Sequence, residues 1–167
     1  MKSILENKAF LFLICLLLGI LTSFSLPPYN FVFLNFLSLP TLLYILINYT
    51  HKKITSFFVG WVFGFGYFIS NLYWITNSLT FDVNFKLIIP FALILIPLFL
   101  GIFYGLVTFL SSLFNLKNKL SSVLIFSIFF GGIEFLRSFI LGGFPWNLLV
   151  FSISNNLPTL QIISYIG

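Results

Sequence analysis

Five apolar stretches, at residues 9–26, 31–49, 56–78, 87–110 and 120–141, follow one another along the chain with almost no charge inside them. Each has about 20 residues, which at ~1.5 Å of helical rise per residue spans the ~30 Å hydrocarbon core of a bilayer. The breaks between them hold turn formers or charge: Pro27-Pro28-Tyr29-Asn30, Thr50-His51-Lys52-Lys53, residues 80–86 around Asp82, residues 115–119 with Lys117 and Lys119, and Gly142-Gly143-Phe144-Pro145-Trp146. A soluble domain needs about a quarter of its residues charged to face water. Here 7% are charged and 60% hydrophobic, with a mean hydropathy of +1.14, so the solvent is lipid. The sequence predicts an all-α polytopic membrane protein, with five full transmembrane helices plus an incomplete sixth.

That sixth run starts near Leu157 and stops at Gly167. It covers only about half a bilayer, and a span ending there strands its last carbonyls in hydrocarbon. The expectation is a truncated or split product. The eight basic residues divide six to two between alternate breaks, with Lys2, Lys8, Lys52, Lys53, Lys117 and Lys119 on one side and Lys86 and Arg137 on the other. The positive-inside rule then puts the N-terminus in the cytoplasm and the Pro27, Asp82 and Gly143 breaks outside. Lys2 and Lys8 ahead of an apolar run ending at Ser23-Phe24-Ser25 also fit a cleavable signal peptide, which competes with a retained first span.

Composition removes several function classes. A net charge of +5 spread between apolar runs is no clustered basic face, so nucleic acid is not an expected partner. One cysteine, Cys15, allows no internal disulfide and no CxxC zinc site. The single His51, beside Lys52 and Lys53, has no second ligand in reach, so no metal is expected. Gly60-Trp-Val-Phe-Gly64-Phe-Gly66 has neither the strand before nor the lysine after that a phosphate loop needs. Gly60 with Gly64, and Gly101 with Gly105, instead read as GxxxG faces that let helices approach closely. Asn71, Tyr73, Trp74, Asn77 and Ser78 read as an interfacial belt or as a polar rim for a lipid headgroup.

Glu134 and Arg137 are the chief anomaly. They sit three apart on one face of the fifth span, and each charge costs about 2.5 to 3.5 kcal/mol at the bilayer centre. Arg137 is only four residues from the end of its run, close enough to snorkel outward. A structural pair and a site for an anionic headgroup or a partner domain both fit. The following Phe144, Pro145 and Trp146 form a sharp turn with two large aromatics at the outer membrane level, suited to an entrance beside acyl chains.

Phe63-Gly64-Phe65-Gly66-Tyr67-Phe68 with Leu72-Tyr73-Trp74-Ile75 and Asn77-Ser78-Leu79, and Glu134-Phe135-Leu136-Arg137 with Gly143-Phe144-Pro145-Trp146-Asn147-Leu148, resemble the membrane part of apolipoprotein N-acyltransferase. Leu26-Pro27-Pro28-Tyr29 and residues 160–167 fit the same pattern, so the resemblance covers nearly all of residues 1–167. It implies a bacterial inner-membrane enzyme that moves an acyl chain from a phospholipid donor to the α-amino group of a lipoprotein's S-diacylglyceryl cysteine. The family's chemistry belongs to a periplasmic nitrilase-like domain with a Glu-Lys-Cys triad, absent here, so no catalytic residue is assigned. Cys15 lies near the wrong face and lacks those partners. No cofactor is implied. Glu134, Arg137, Phe144, Pro145 and Trp146 are assigned to substrate binding by the resemblance. The chain is expected to be inactive alone, completed by a separate polypeptide carrying the nitrilase-like domain. A small helical transporter, a non-catalytic membrane scaffold and a non-functional gene relic are the alternatives.

Overall fold

The computed structural model describes residues 7–73, 87–116, 119–140, 147–154 and 161. Among these there is no strand. Five helices follow in order: α1 Lys8–Ser23, α2 Phe33–Tyr49, α3 Lys53–Asn71, α4 Ile89–Ser111 and α5 Lys119–Phe139, with a short 3-10 turn at Leu149–Ile153. The protein is all-helical, as its apolar runs predict. Three helices, α3, α4 and α5, are long and apolar enough to cross a membrane. The five full spans read from the sequence therefore reduce to three by this measure, because α1 and α2 have 16 and 17 residues. Helix α1 stops short of the predicted Leu26 because Phe24, Ser25 and Leu26 turn back on the preceding carbonyls, and the Phe31 N–H then closes onto the Phe24 carbonyl at 3.0 Å. The incomplete sixth run, Gln161 apart, lies outside the described residues, as do Trp74, Asn77 and Ser78.

Local chemistry explains where the helices begin. The Asn7 side chain caps α1 by accepting from the Ala9 N–H at 3.0 Å, satisfying one of the orphan donors of a first turn. Pro90 sits in the first turn of α4, where its missing N–H costs nothing. Two prolines fall inside helices, Pro40 in α2 and Pro97 in α4. Each lacks the N–H that would bond the carbonyl four residues back, that of Phe36 or of Leu93. Around Pro40, Ser38 Oγ donates to the Leu34 carbonyl and Thr41 Oγ1 to the Leu37 carbonyl. One residue past Pro97, the Trp61 indole N–H crosses from α3 to the Leu98 carbonyl at 2.8 Å.

Helix α3 is the central stave, packed against α4 on one side and α1 on the other. The expected glycine faces make both contacts possible. A Cβ on Gly64 would stand 2.9 Å from Gly101 Cα, and one on Gly60 would run into Thr108 and the Tyr104 carbonyl. On the α1 side, a Cβ on Gly19 would strike the Phe63 carbonyl and one on Gly66 the Leu16 carbonyl. Thr108 Oγ1 reinforces the α3–α4 seam by donating to the Ser56 carbonyl at 2.7 Å. Helix α2 lies against α1, where Thr22 Oγ1 donates to Ser38 Oγ at 2.7 Å in a buried contact.

Among the described residues, helix α5 has its principal helix contact with α4 alone. A Cβ on Gly131 or Gly132 would meet nothing within 4 Å. Cys15 is wholly buried in α1 and His51 is exposed, in line with their readings as a packing residue and a loop residue. Ser23 and Ser25, which frame the candidate signal-peptidase site, are buried and donate to the Ile20 and Thr22 carbonyls.

Candidate functional site

Charge inside an apolar bundle has to be answered by other polar groups, and α3, α4 and α5 bring those groups to one place. Glu134 lies 3.5 Å from Arg137 through Oε1 and Nη2, one turn apart on α5. Neither snorkels outward. Arg137 is 2% exposed and Glu134 13%, both turned toward α3 and α4. The outward route open to Arg137 in the sequence goes unused because its Nη2 donates inward, at 3.2 Å, to the Asn147 carbonyl. Its guanidinium also lies 5.1 Å over the Phe68 ring of α3, a cation–π contact.

The carboxylate has two partners besides the arginine. Tyr104 of α4 donates its hydroxyl to Oε1 at 2.8 Å, and the Leu149 N–H reaches both oxygens, at 3.2 and 3.0 Å. Tyr67 of α3 completes the ring of donors, its hydroxyl bonding the Asn147 carbonyl at 3.0 Å. Both tyrosines are buried, and Tyr104 is packed among the rings of Phe63, Tyr67, Phe68 and Phe130 at centroid distances of 5.1 to 5.8 Å. Those rings hold the phenol in one direction, so its hydrogen bond costs little further ordering.

This arrangement forms a clasp on the main chain of residues 147–154. The acid holds an N–H and the base a carbonyl, two residues apart, while Asn35 Nδ2 of α2 donates to Ser152 Oγ at 3.0 Å farther along. Asn147 itself has φ 56°, a left-handed conformation that asparagine tolerates better than most side chains. Its Nδ2 is buried with no hydrogen-bond partner, a state also found for Asn71 Nδ2 and for Asn30 and Asn35 Oδ1.

Of the five predicted binding residues, Glu134 and Arg137 come together with the backbone that follows the 141–146 break. Phe144, Pro145 and Trp146 lie outside the described residues. Sequence reasoning passed over Tyr104 entirely and met Tyr67 and Asn147 only as letters in a motif. A usable signal was present: Tyr104 is a lone hydroxyl-bearing ring between Gly101 and Gly105, on the very face that the GxxxG reading turns toward α3. The described residues contain no group of three or more His, Cys, Asp or Glu that could hold a metal ion.

A helical membrane bundle with a buried acid–base pair gripping a returning segment defines the class of protein. Comparison with known families makes it specific. Residues 18–167 match the family model described as the apolipoprotein N-acyltransferase N-terminal domain, and the chain belongs to that family. It is 33% identical over 146 residues to an apolipoprotein N-acyltransferase of Rhizobium rhizogenes, covering 82% of this chain and 27% of that protein. It is 31% identical over 158 residues to that of Brucella melitensis, with 89% and 30% covered. Against that of Rickettsia prowazekii it is 36% identical over 156 residues, with 93% and 31% covered. The chain thus spans less than a third of the length of these relatives.

Proposed function

We propose that this chain is the membrane portion of an enzyme that transfers an acyl chain from a phospholipid to the amino group of the S-diacylglyceryl cysteine opening an apolipoprotein. The observation that carries this reading is the match of residues 18–167 to the family's N-terminal domain. All five helices cross the bacterial inner membrane in this reading, with the N-terminus in the cytoplasm, which the six-to-two lysine and arginine bias supports. The acyl group passes through a cysteine thioester in ping-pong fashion. Cys15 does not serve as that nucleophile, because it is sealed in α1 with 0% exposure. The nucleophile therefore comes from outside these 167 residues, on a nitrilase-like domain.

Glu134, Arg137, Phe144, Pro145 and Trp146 are proposed to position the lipid donor under that domain. The clasp supports this role indirectly. It ties down the backbone just after residue 146. The chain is tested in liposomes with a diacylglyceryl lipopeptide, with and without a co-expressed nitrilase-like polypeptide. Acylation is expected only with both, and is expected to fall in Trp146→Ala and Arg137→Ala while both variants still insert. Acylation by the chain alone, or unchanged rates in both variants, overturns the assignment.

A further inference from the structure

We propose that the side-chain amide of Asn147 is a binding group for an oxygen of the phospholipid donor, an acceptor on either its phosphate or its ester carbonyl. The proposal rests on the lipid-donor reading above and adds a residue to it. Buried amide donors are almost always paired, and Asn147 Nδ2 is buried without a partner. A backbone shift does not readily cure this, because the main chain is pinned from the other side. Its carbonyl takes two donors, Tyr67 Oη at 3.0 Å and Arg137 Nη2 at 3.2 Å, and its backbone sits at φ 56°.

Three other buried asparagine atoms lack partners, but Asn147 alone of these residues is bonded to a formal positive charge. That guanidinium already faces the Glu134 carboxylate at 3.5 Å, so the pair brings no net charge and the amide calls for an acceptor oxygen, charged or neutral. Asn147 also directly follows Trp146, one of the residues assigned above to the lipid donor.

The test separates the amide from the backbone it sits on. Asn147→Gly keeps the positive φ and the carbonyl but removes the amide, and Asn147→Asp keeps the shape but removes the donors. The purified full chain is titrated by native mass spectrometry with phosphatidylglycerol, with diacylglycerol, which lacks the phosphate, and with dodecyl phosphate, which lacks the ester. Hydrogen exchange at the Leu149 amide reports whether the clasp is intact. Both variants are expected to bind phosphatidylglycerol about five- to tenfold more weakly, the loss of one hydrogen bond to a polar or charged oxygen, with Leu149 exchange unchanged in Asn147→Gly. The same loss with dodecyl phosphate assigns the phosphate, and with diacylglycerol the carbonyl. Equal affinity of wild type and both variants overturns the proposal and leaves the amide to an enclosed water. Failure of the wild type to bind any of the three lipids saturably overturns the lipid-donor reading itself.

Discussion

Glu134 and Arg137 show how two residues that read as costly in a sequence become inexpensive in a structure. Each is given partners that water would otherwise supply: Tyr104 and the Leu149 N–H for the acid, the Asn147 carbonyl and the Phe68 ring for the base. Removing one member strands the other in a medium of low dielectric. Arg137→Ala is expected to cost about 3 to 5 kcal/mol, the range for breaking a buried pair. The double change Glu134→Ala with Arg137→Ala should cost less than the two single changes combined. Thermal unfolding in detergent measures all three, and strict additivity would show that the two charges do not interact. Tyr104→Phe is a gentler probe, because it keeps the packed ring and deletes one donor to a carboxylate, worth about 1.5 to 3 kcal/mol. Faster hydrogen exchange at the Leu149 amide is expected, with protection of α3 and α4 unchanged. The charged pair was legible from its spacing alone. Its partners were not, since the Asn147 carbonyl and the Leu149 N–H are main-chain atoms that every sequence possesses.

Between elements the deciding quantity is how closely two backbones approach. Gly60 and Gly64 of α3 face Tyr104, Thr108 and Gly101 of α4 with no room for a methyl group, whereas Gly131 and Gly132 of α5 face open space. Gly60→Ala should therefore destabilise by about 1 to 3 kcal/mol through overpacking. Gly131→Ala should be neutral or stabilising by up to about 1 kcal/mol, because alanine favours helix and nothing obstructs it. Unfolding of the two variants side by side checks the contrast, and equal effects would contradict the packing. The GxxxG spacing announced the α3–α4 seam. It did not announce the α1–α3 seam, where Gly19 and Gly66 belong to no such pair on their helices and meet only in the fold. Helix lengths were misjudged at α1 for a related reason. Apolar residues such as Leu26 continue past the last helical turn because the turn is itself buried, so hydropathy alone runs on where hydrogen bonding has already changed direction.

For the whole molecule, α1 decides whether the bundle is one body. Cys15 is 0% exposed, and Ser23 and Ser25 are buried at the end of α1 and in the turn that follows it. A membrane-permeant maleimide is expected to leave Cys15 unmodified in the folded chain and to label it fully after denaturation. Intact mass of the purified protein should include Lys8–Ser23, and a species lacking it would mean that the first helix is dispensable. Apolar runs, charge bias and motif spelling together disclosed the helical membrane architecture and the family. Convergence of α2, α3 and α5 on residues 147–154 stayed hidden, because it joins groups up to 117 positions apart, as Asn35 and Ser152 are.

The hand that closes on that returning stretch grips only peptide atoms, an amide hydrogen at 149 and an oxygen at 147. The exposed side chains of Val150 and Phe151 are thus at liberty to be rewritten, while Leu149, packed on the core, and Ser152, held by Asn35, keep the strap on its course. A designer could graft foreign recognition residues onto it and expect them to arrive already aimed.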